Sequence, residues 1–116
     1  MNAVRDWSIP AASAPPPRLE RFVSDRAALS PESIAYEYRE ASLTYRNLDE
    51  LANGLAVQLA TVGVGPGAIV PIVLRRGLAL PVAILSVLKA GGAIFYIDPE
   101  EPVQRRDALI QRVSPP

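Results

Sequence analysis

The spacing of hydrophobic and polar residues changes several times along the chain, and each change predicts a different element. Apolar residues recur at helical spacing in residues 19–29, so a helix is expected to end before Pro31. Apolar and polar positions then alternate in residues 33–39, which predicts a half-buried strand. A turn is expected at residues 40–41.

The clearest amphipathic helix follows this turn. Thr44 is placed to cap its N-terminus, because a threonine hydroxyl accepts hydrogen bonds from amides of the first turn. Asn47 stands where a full capping box has Glu or Gln. Apolar residues at helical spacing form a stripe that predicts the buried face of this helix: Leu48, Leu51, Ala52, Leu55, Leu59 and Val62. Asp49 is one of the polar residues that lie off this stripe.

Glycine marks the end of this helix and a change back to strand. Gly63 predicts a left-handed cap, and "GVGPG" predicts a turn. The apolar run "AIVPIVL" has the length of a buried strand. Residues 78–88 predict a further helix, with Pro81 in its first turn.

The last part of the chain again predicts a strand followed by a helix. "AIFYI" predicts a third short strand and "VQRRDALIQRV" a last helix. The expected order is helix, strand, helix, strand, helix, strand, helix. This order indicates an α/β fold in which helices cover short, mainly parallel strands.

Length and proline content suggest how the chain is organised. A chain of 116 residues is one domain at most. Residues 1–17 end in "SAPPP", and a run of prolines favours an extended, solvated conformation. The sequence therefore predicts a flexible, proline-rich leader at 1–17, a folded unit at 18–113 and a tail at 114–116.

Charge and composition exclude several classes of function. The 12 basic and 12 acidic residues cancel, which argues against a nucleic-acid partner. The chain has no cysteine and no histidine, so it lacks disulfides, thiolates and the usual zinc ligands. Its longest apolar stretch, residues 78–88, is shorter than the roughly 20 residues that a membrane-spanning helix needs. These features predict a cytoplasmic protein without membrane or nucleic-acid partners.

Three patterns allow both a chemical and a structural interpretation. "GVGPG" contains the glycines of a phosphate loop, but a phosphate loop opens a helix and this one follows a helix, which favours a simple turn. Lys89 and Tyr96 are either an acid–base pair or, as favoured, a solvated lysine at a helix end and an unrelated tyrosine. The carboxylates in residues 98–101 form either a metal site or, as favoured, a solvated turn in which Asp98 caps the next helix.

Two stretches resemble core motifs of a known family. Residues 43–67, "LTYRNLDELANGLAVQLATVGVGPG", are similar to the first core motif of the adenylate-forming (AMP-binding) enzymes. Residues 88–106, "LKAGGAIFYIDPEEPVQRR", are similar to the second. Residues 29–38 resemble the stretch before the first motif. The resemblance covers about residues 18–112, and it is closest to the adenylation domains of nonribosomal peptide synthetases.

The resemblance implies an incomplete N-terminal subdomain of that fold. In the family, a carboxylic acid and ATP give an acyl-adenylate with the help of Mg²⁺, and the acyl group passes to a thiol, often on a phosphopantetheinyl carrier protein. The segments that bind ATP and Mg²⁺ are missing from this chain, and Lys89 is not the catalytic lysine of the family. The sequence therefore predicts no catalytic, cofactor-binding or metal-binding residue.

Three hypotheses follow. The leading one is the N-terminal portion of an adenylation domain, inactive alone, which is either cut from a longer synthetase and completed in cis by the rest of that domain or encoded as a truncated protein. The alternative is a small noncatalytic partner that completes a split adenylating enzyme in trans, which Met1, the leader and the thin core favour. The third is a decayed remnant without activity.

Overall fold

The computed structural model describes residues 18–113, which form four helices and four short strands. In chain order these are α1 (Leu19–Leu29), β1 (Ile34–Tyr38), β2 (Ala41–Thr44), α2 (Tyr45–Thr61), β3 (Ile69–Ile72), α3 (Ala79–Lys89), β4 (Ala93–Tyr96) and α4 (Val103–Val113). The predicted α/β class is confirmed. The predicted leader and tail lie outside the described residues.

The strands form two pairs within the described part of the chain. β3 and β4 are parallel, in register from Ile69 opposite Ala93 to Ile72 opposite Tyr96. β1 and β2 form an antiparallel hairpin. The sequence analysis did not predict β2, because its four residues include a single large apolar side chain, Leu43. Arg39, in the turn of the hairpin, has a φ of 57°.

Helices α2 and α3 each end in a glycine turn of the same type. At the end of α2, Gly63 has a φ of 101°, and the amide of Val64 donates to the carbonyl of Leu59 at 3.0 Å. At the end of α3, Gly91 has a φ of 93°, and the amide of Gly92 donates to the carbonyl of Val87 at 3.0 Å. This is the Schellman arrangement, in which glycine is favoured because its φ is positive. The predicted cap at Gly63 is confirmed.

Two further predictions about helix starts agree with the structure. The Thr44 hydroxyl accepts a hydrogen bond from the amide of Asn47 at 3.1 Å, so Thr44 caps α2 as expected. Pro81 is the third residue of α3, within the first turn. Its missing amide hydrogen therefore leaves no gap in the helical ladder.

The core lies where α2 packs against α1 and α3. Its buried residues are Val23, Leu43, Leu48, Ala52 and Leu85. The predicted apolar stripe of α2 is correct in part.

Two residues of that stripe are exposed, Leu51 by 53% and Val62 by 76%. The buried line of α2 instead passes through Leu48, Ala52 and Ala56, because small residues let neighbouring helices approach closely. No helix among residues 18–113 is long and apolar enough to cross a membrane.

Candidate functional site

A polar cluster joins the three helices of the core. The Lys89 ammonium donates to Asp49 Oδ1 at 2.8 Å and to Ser24 Oγ at 3.0 Å. Ser24 Oγ in turn donates to Asp49 Oδ1 at 3.0 Å. The side chains of Lys89 and Asp49 are only 11% and 18% exposed. The cluster therefore places one ion pair and one hydroxyl between α1, α2 and α3.

The solvated position expected for Lys89 is therefore wrong. Lys89 follows Leu85 and Ser86 at helical spacing, and both are buried, so it lies on the buried face of α3. Asp49 precedes Ala52 and Ala56 by three and seven residues, which places it on the buried face of α2. This spacing was the sequence signal that could have identified Asp49.

The geometry of the cluster indicates a structural role, which is to hold the three helices together. A protonated lysine has no lone pair with which to take a proton from Ser24, and Asp49 already accepts hydrogen bonds from both partners. Every buried side-chain nitrogen and oxygen within residues 18–113 has a partner. The cluster thus uses its polar groups internally, as a satisfied network between helices does.

Tyr96 lies apart from this cluster. Its hydroxyl donates to the carbonyl of Leu74 at 2.8 Å, whereas Lys89 is engaged with Asp49. The structure does not bring Lys89 and Tyr96 together, so the acid–base pair is not formed.

The turn after β4 is the second polar feature, at the carboxyl end of the parallel strands, where α/β folds commonly bind ligands. Asp98 Oδ1 accepts a hydrogen bond from the amide of Glu100 at 2.9 Å, so Asp98 stabilises the turn itself. Glu100 pairs with Arg75, and Glu101 pairs with Arg105 at 3.1 Å. The three carboxylates of residues 98–101 therefore have separate partners.

The glycine turn at residues 63–67 connects a helix to a strand. α2 precedes it, β3 follows it, and the amide of Ala68 donates to the carbonyl of Gly65 at 2.9 Å. Its position confirms the prediction of a turn. The turn also packs closely on the second glycine turn: a Cβ on Gly92 would lie 3.0 Å from Val64 Cγ1, and one on Gly91 would lie 3.3 Å from Pro66 Cδ.

An apolar groove of about 220 Å³ lies between α1, β1, α2 and α3. Its lining is almost entirely carbon, so it has little means of orienting a polar substrate. The lining residues include Leu19, Phe22, Ala35, Tyr36, Tyr45 and Ile84.

Comparison with known proteins gives consistent matches. A model of the AMP-binding enzyme family matches residues 23–115. Tyrocidine synthase 2 of Brevibacillus parabrevis is 44% identical over 95 residues, which cover 82% of this chain and 3% of that protein. A dimodular nonribosomal peptide synthase of Bacillus subtilis is 37% identical over 114 residues, which cover 98% of this chain and 5% of that protein.

Solved structures give the same result. The nonribosomal peptide synthetase FmoA3, crystallised with α-methyl-L-serine-AMP, superposes with a TM-score of 0.80 at 29% identity, over 85% of this chain and 12% of that one. The N-terminal subdomain of Klebsiella oxytoca NpsA, at 22% identity, shares the fold with a TM-score of 0.73, over 80% of this chain and 24% of that one. The chain thus spans between 3% and 24% of the length of these four proteins.

Proposed function

Because the chain belongs to the AMP-binding enzyme family, we propose that it is the N-terminal portion of an adenylation domain and is inactive by itself. In the complete enzyme, an oxygen of an amino acid or another carboxylic acid attacks the α-phosphorus of ATP. Pyrophosphate leaves and an acyl-adenylate remains. The thiol of a phosphopantetheinyl carrier protein then takes the acyl group and releases AMP. We place this chemistry in the cytoplasm, in nonribosomal peptide or related secondary-metabolite synthesis.

One observation supports this proposal above the others: the two stretches that resemble family motifs pack against each other. Asp49 of the first stretch binds Lys89 of the second, and Val64 of the first lies against Gly92 of the second. The first contact is an ion pair between two helices, and the second is a close contact between two turns. In both cases the groups involved are occupied by each other. The motifs therefore act as scaffold in this part of the enzyme.

The described residues do not fit ATP and Mg²⁺. The glycine turn at 63–67 follows the C-terminal end of α2, where carbonyl oxygens and the negative end of the helix dipole disfavour a phosphate. No three His, Cys, Asp or Glu side chains within residues 18–113 are grouped to hold a metal ion. We assign the binding of ATP and Mg²⁺ to the rest of the complete enzyme.

The test is amino-acid-dependent exchange of labelled pyrophosphate into ATP. The 116-residue chain alone should show no exchange above a no-enzyme blank with any of the common amino acids. The complete matched domain of tyrocidine synthase 2, prepared in parallel, is the positive control. Clear exchange by the short chain would overturn the proposal.

A second candidate is a noncatalytic partner that completes a split enzyme in trans. The observation that favours it is the β3–β4 sheet, which has two strands in the described residues, whereas parallel sheets usually have more strands and helices on both faces. Open strand edges of this kind can pair with another chain. Co-expression with the B. subtilis domain lacking its aligned segment should then restore exchange, and absence of any complex would contradict it.

A further inference from the structure

The basic side chains of this protein are almost all guanidinium groups. Eleven of its 12 basic residues are arginines, and Lys89 is the one lysine. An arginine stays protonated in proteins and offers no lone pair to an acyl donor, whereas the amine of a lysine is a common target of acylation. Lys89 is therefore the one side chain of the protein that can form an amide with an activated acyl group.

This one lysine is held in a position that disfavours acylation. Its side chain is 11% exposed, and its ammonium donates to Asp49 Oδ1 at 2.8 Å and to Ser24 Oγ at 3.0 Å. Acylation requires a deprotonated nitrogen whose lone pair points at the acyl carbon. Both hydrogen bonds must break, and the side chain must turn outward, before the nitrogen can react. The exposed basic side chains of Arg75 and Arg105, by contrast, carry no amine.

We propose that the contacts with Asp49 and Ser24 shield Lys89 from acylation, so that the acyl-adenylate formed by the complete enzyme does not modify this part of it. The identity of the acyl donor rests on the function proposed above, whereas the shielding rests on the cluster alone. In the reaction that is prevented, the lone pair of the Lys89 amine attacks the carbonyl carbon of the donor, and a C–N bond forms. The bond from that carbon to the phosphate oxygen breaks, AMP leaves with its electron pair, and the nitrogen loses a proton to water.

Acylation of Lys89 would also destabilise the contact between the three helices. An amide carries no positive charge, so the Asp49 carboxylate would remain largely buried without its cation. The added acyl group would in addition need space between packed helices. Shielding of Lys89 therefore preserves the packing of α1, α2 and α3 in the presence of a reactive product.

Synthetic acetyl-adenylate tests the shielding on the complete 116-residue chain. Arg105→Lys places an amine at an exposed position of α4, which contributes nothing to the cluster, and this amine is the reference within the same molecule. Peptide mapping by mass spectrometry gives the acetylation rate at each lysine. In the folded protein Lys89 should react at least about tenfold more slowly than the introduced lysine, because only a minor form with the cluster open can react. In concentrated urea the two rates should be similar.

Two variants separate shielding by the cluster from a general loss of structure, with circular dichroism confirming that each is folded. Asp49→Asn removes the charge partner of Lys89 and should raise its acetylation rate at least about fivefold, since the open form becomes more populated. Thr44→Ala weakens the cap of α2 without touching the cluster, so it is the matched control and should change that rate by less than about twofold.

Three results would overturn the proposal: similar rates at Lys89 and at the introduced lysine in the folded protein, no acceleration by Asp49→Asn, or equal acceleration by Asp49→Asn and Thr44→Ala. The experiment uses a synthetic donor and measures no enzymatic activity. Pyrophosphate exchange by the short chain would therefore refute the proposed function without altering these rates.

Discussion

Lys89 Nζ lies 2.8 Å from Asp49 Oδ1, although the two residues are 40 positions apart in the sequence. Both side chains are largely buried, and Ser24 of a third helix binds both. In a largely buried ion pair each charge compensates the other, and a single charge left without its partner in the interior strongly destabilises the fold.

Removing one partner should therefore be costly. Lys89→Met leaves the Asp49 carboxylate without its cation, and Asp49→Leu leaves the ammonium without its anion. We expect each change to lower the free energy of unfolding by about 2–4 kcal/mol, and the double variant to lose about 1–3 kcal/mol less than the sum. Urea unfolding followed by circular dichroism measures all four proteins.

The control for this cycle is an exposed ion pair of the same kind. Arg46 and Glu32 are 2.5 Å apart, but their side chains are 52% and 69% exposed. Arg46→Ala should change the free energy of unfolding by no more than about 0.5 kcal/mol, because solvent screens exposed pairs. If the double variant lost as much free energy of unfolding as the two single variants together, the Lys89 and Asp49 side chains would not stabilise each other.

Local features of this chain were predictable because their causes are local. The caps at Thr44 and Gly63, and the position of Pro81, follow from backbone preferences within a few residues. The family resemblance likewise depends on continuous stretches. These features were sufficient to predict the α/β class and the family.

The errors concern residues whose environment is set by distant segments. Lys89 resembled a solvated helix end because its partner Asp49 belongs to another helix. Leu51 was expected in the core, but the close contact through Ala52 turned the buried face of α2 away from it. The groove between α1, β1, α2 and α3 could not be anticipated, because it depends on how four separate elements pack.

Two glycines, one inside α2 and one just after its C-terminal end, should respond to alanine in opposite directions. Gly54 lies within the helix, and a Cβ there would meet nothing within 4 Å, so Gly54→Ala should stabilise the protein by about 0.5–1 kcal/mol. Gly63 has a φ of 101°, so Gly63→Ala should destabilise it by about 1–2 kcal/mol. Thermal unfolding of both variants checks this, and a shift of the same sign in both would contradict the assigned cap.

The cap of α2 provides a third prediction. Thr44→Ala removes the hydroxyl that binds the amide of Asn47 and should cost about 1 kcal/mol. Thr44→Ser keeps an oxygen in the same place and should retain most of that stability. Urea unfolding of both variants compares them, and equal losses would show that the methyl group of Thr44, not its hydroxyl, is responsible.

The contact between the two glycine turns gives the last prediction. Gly92→Ala would place a Cβ 3.0 Å from Val64 Cγ1 and 3.2 Å from Val87 Cγ1, and such overpacking typically costs about 1–3 kcal/mol. Val64→Ala removes one of the two obstructing methyl groups, so Gly92→Ala should cost about 1 kcal/mol less in that background. Urea unfolding of the single and double variants measures the difference. Because Val64 and Gly92 belong to the two family-like stretches, an identical cost in both backgrounds would mean that these stretches do not pack as one unit.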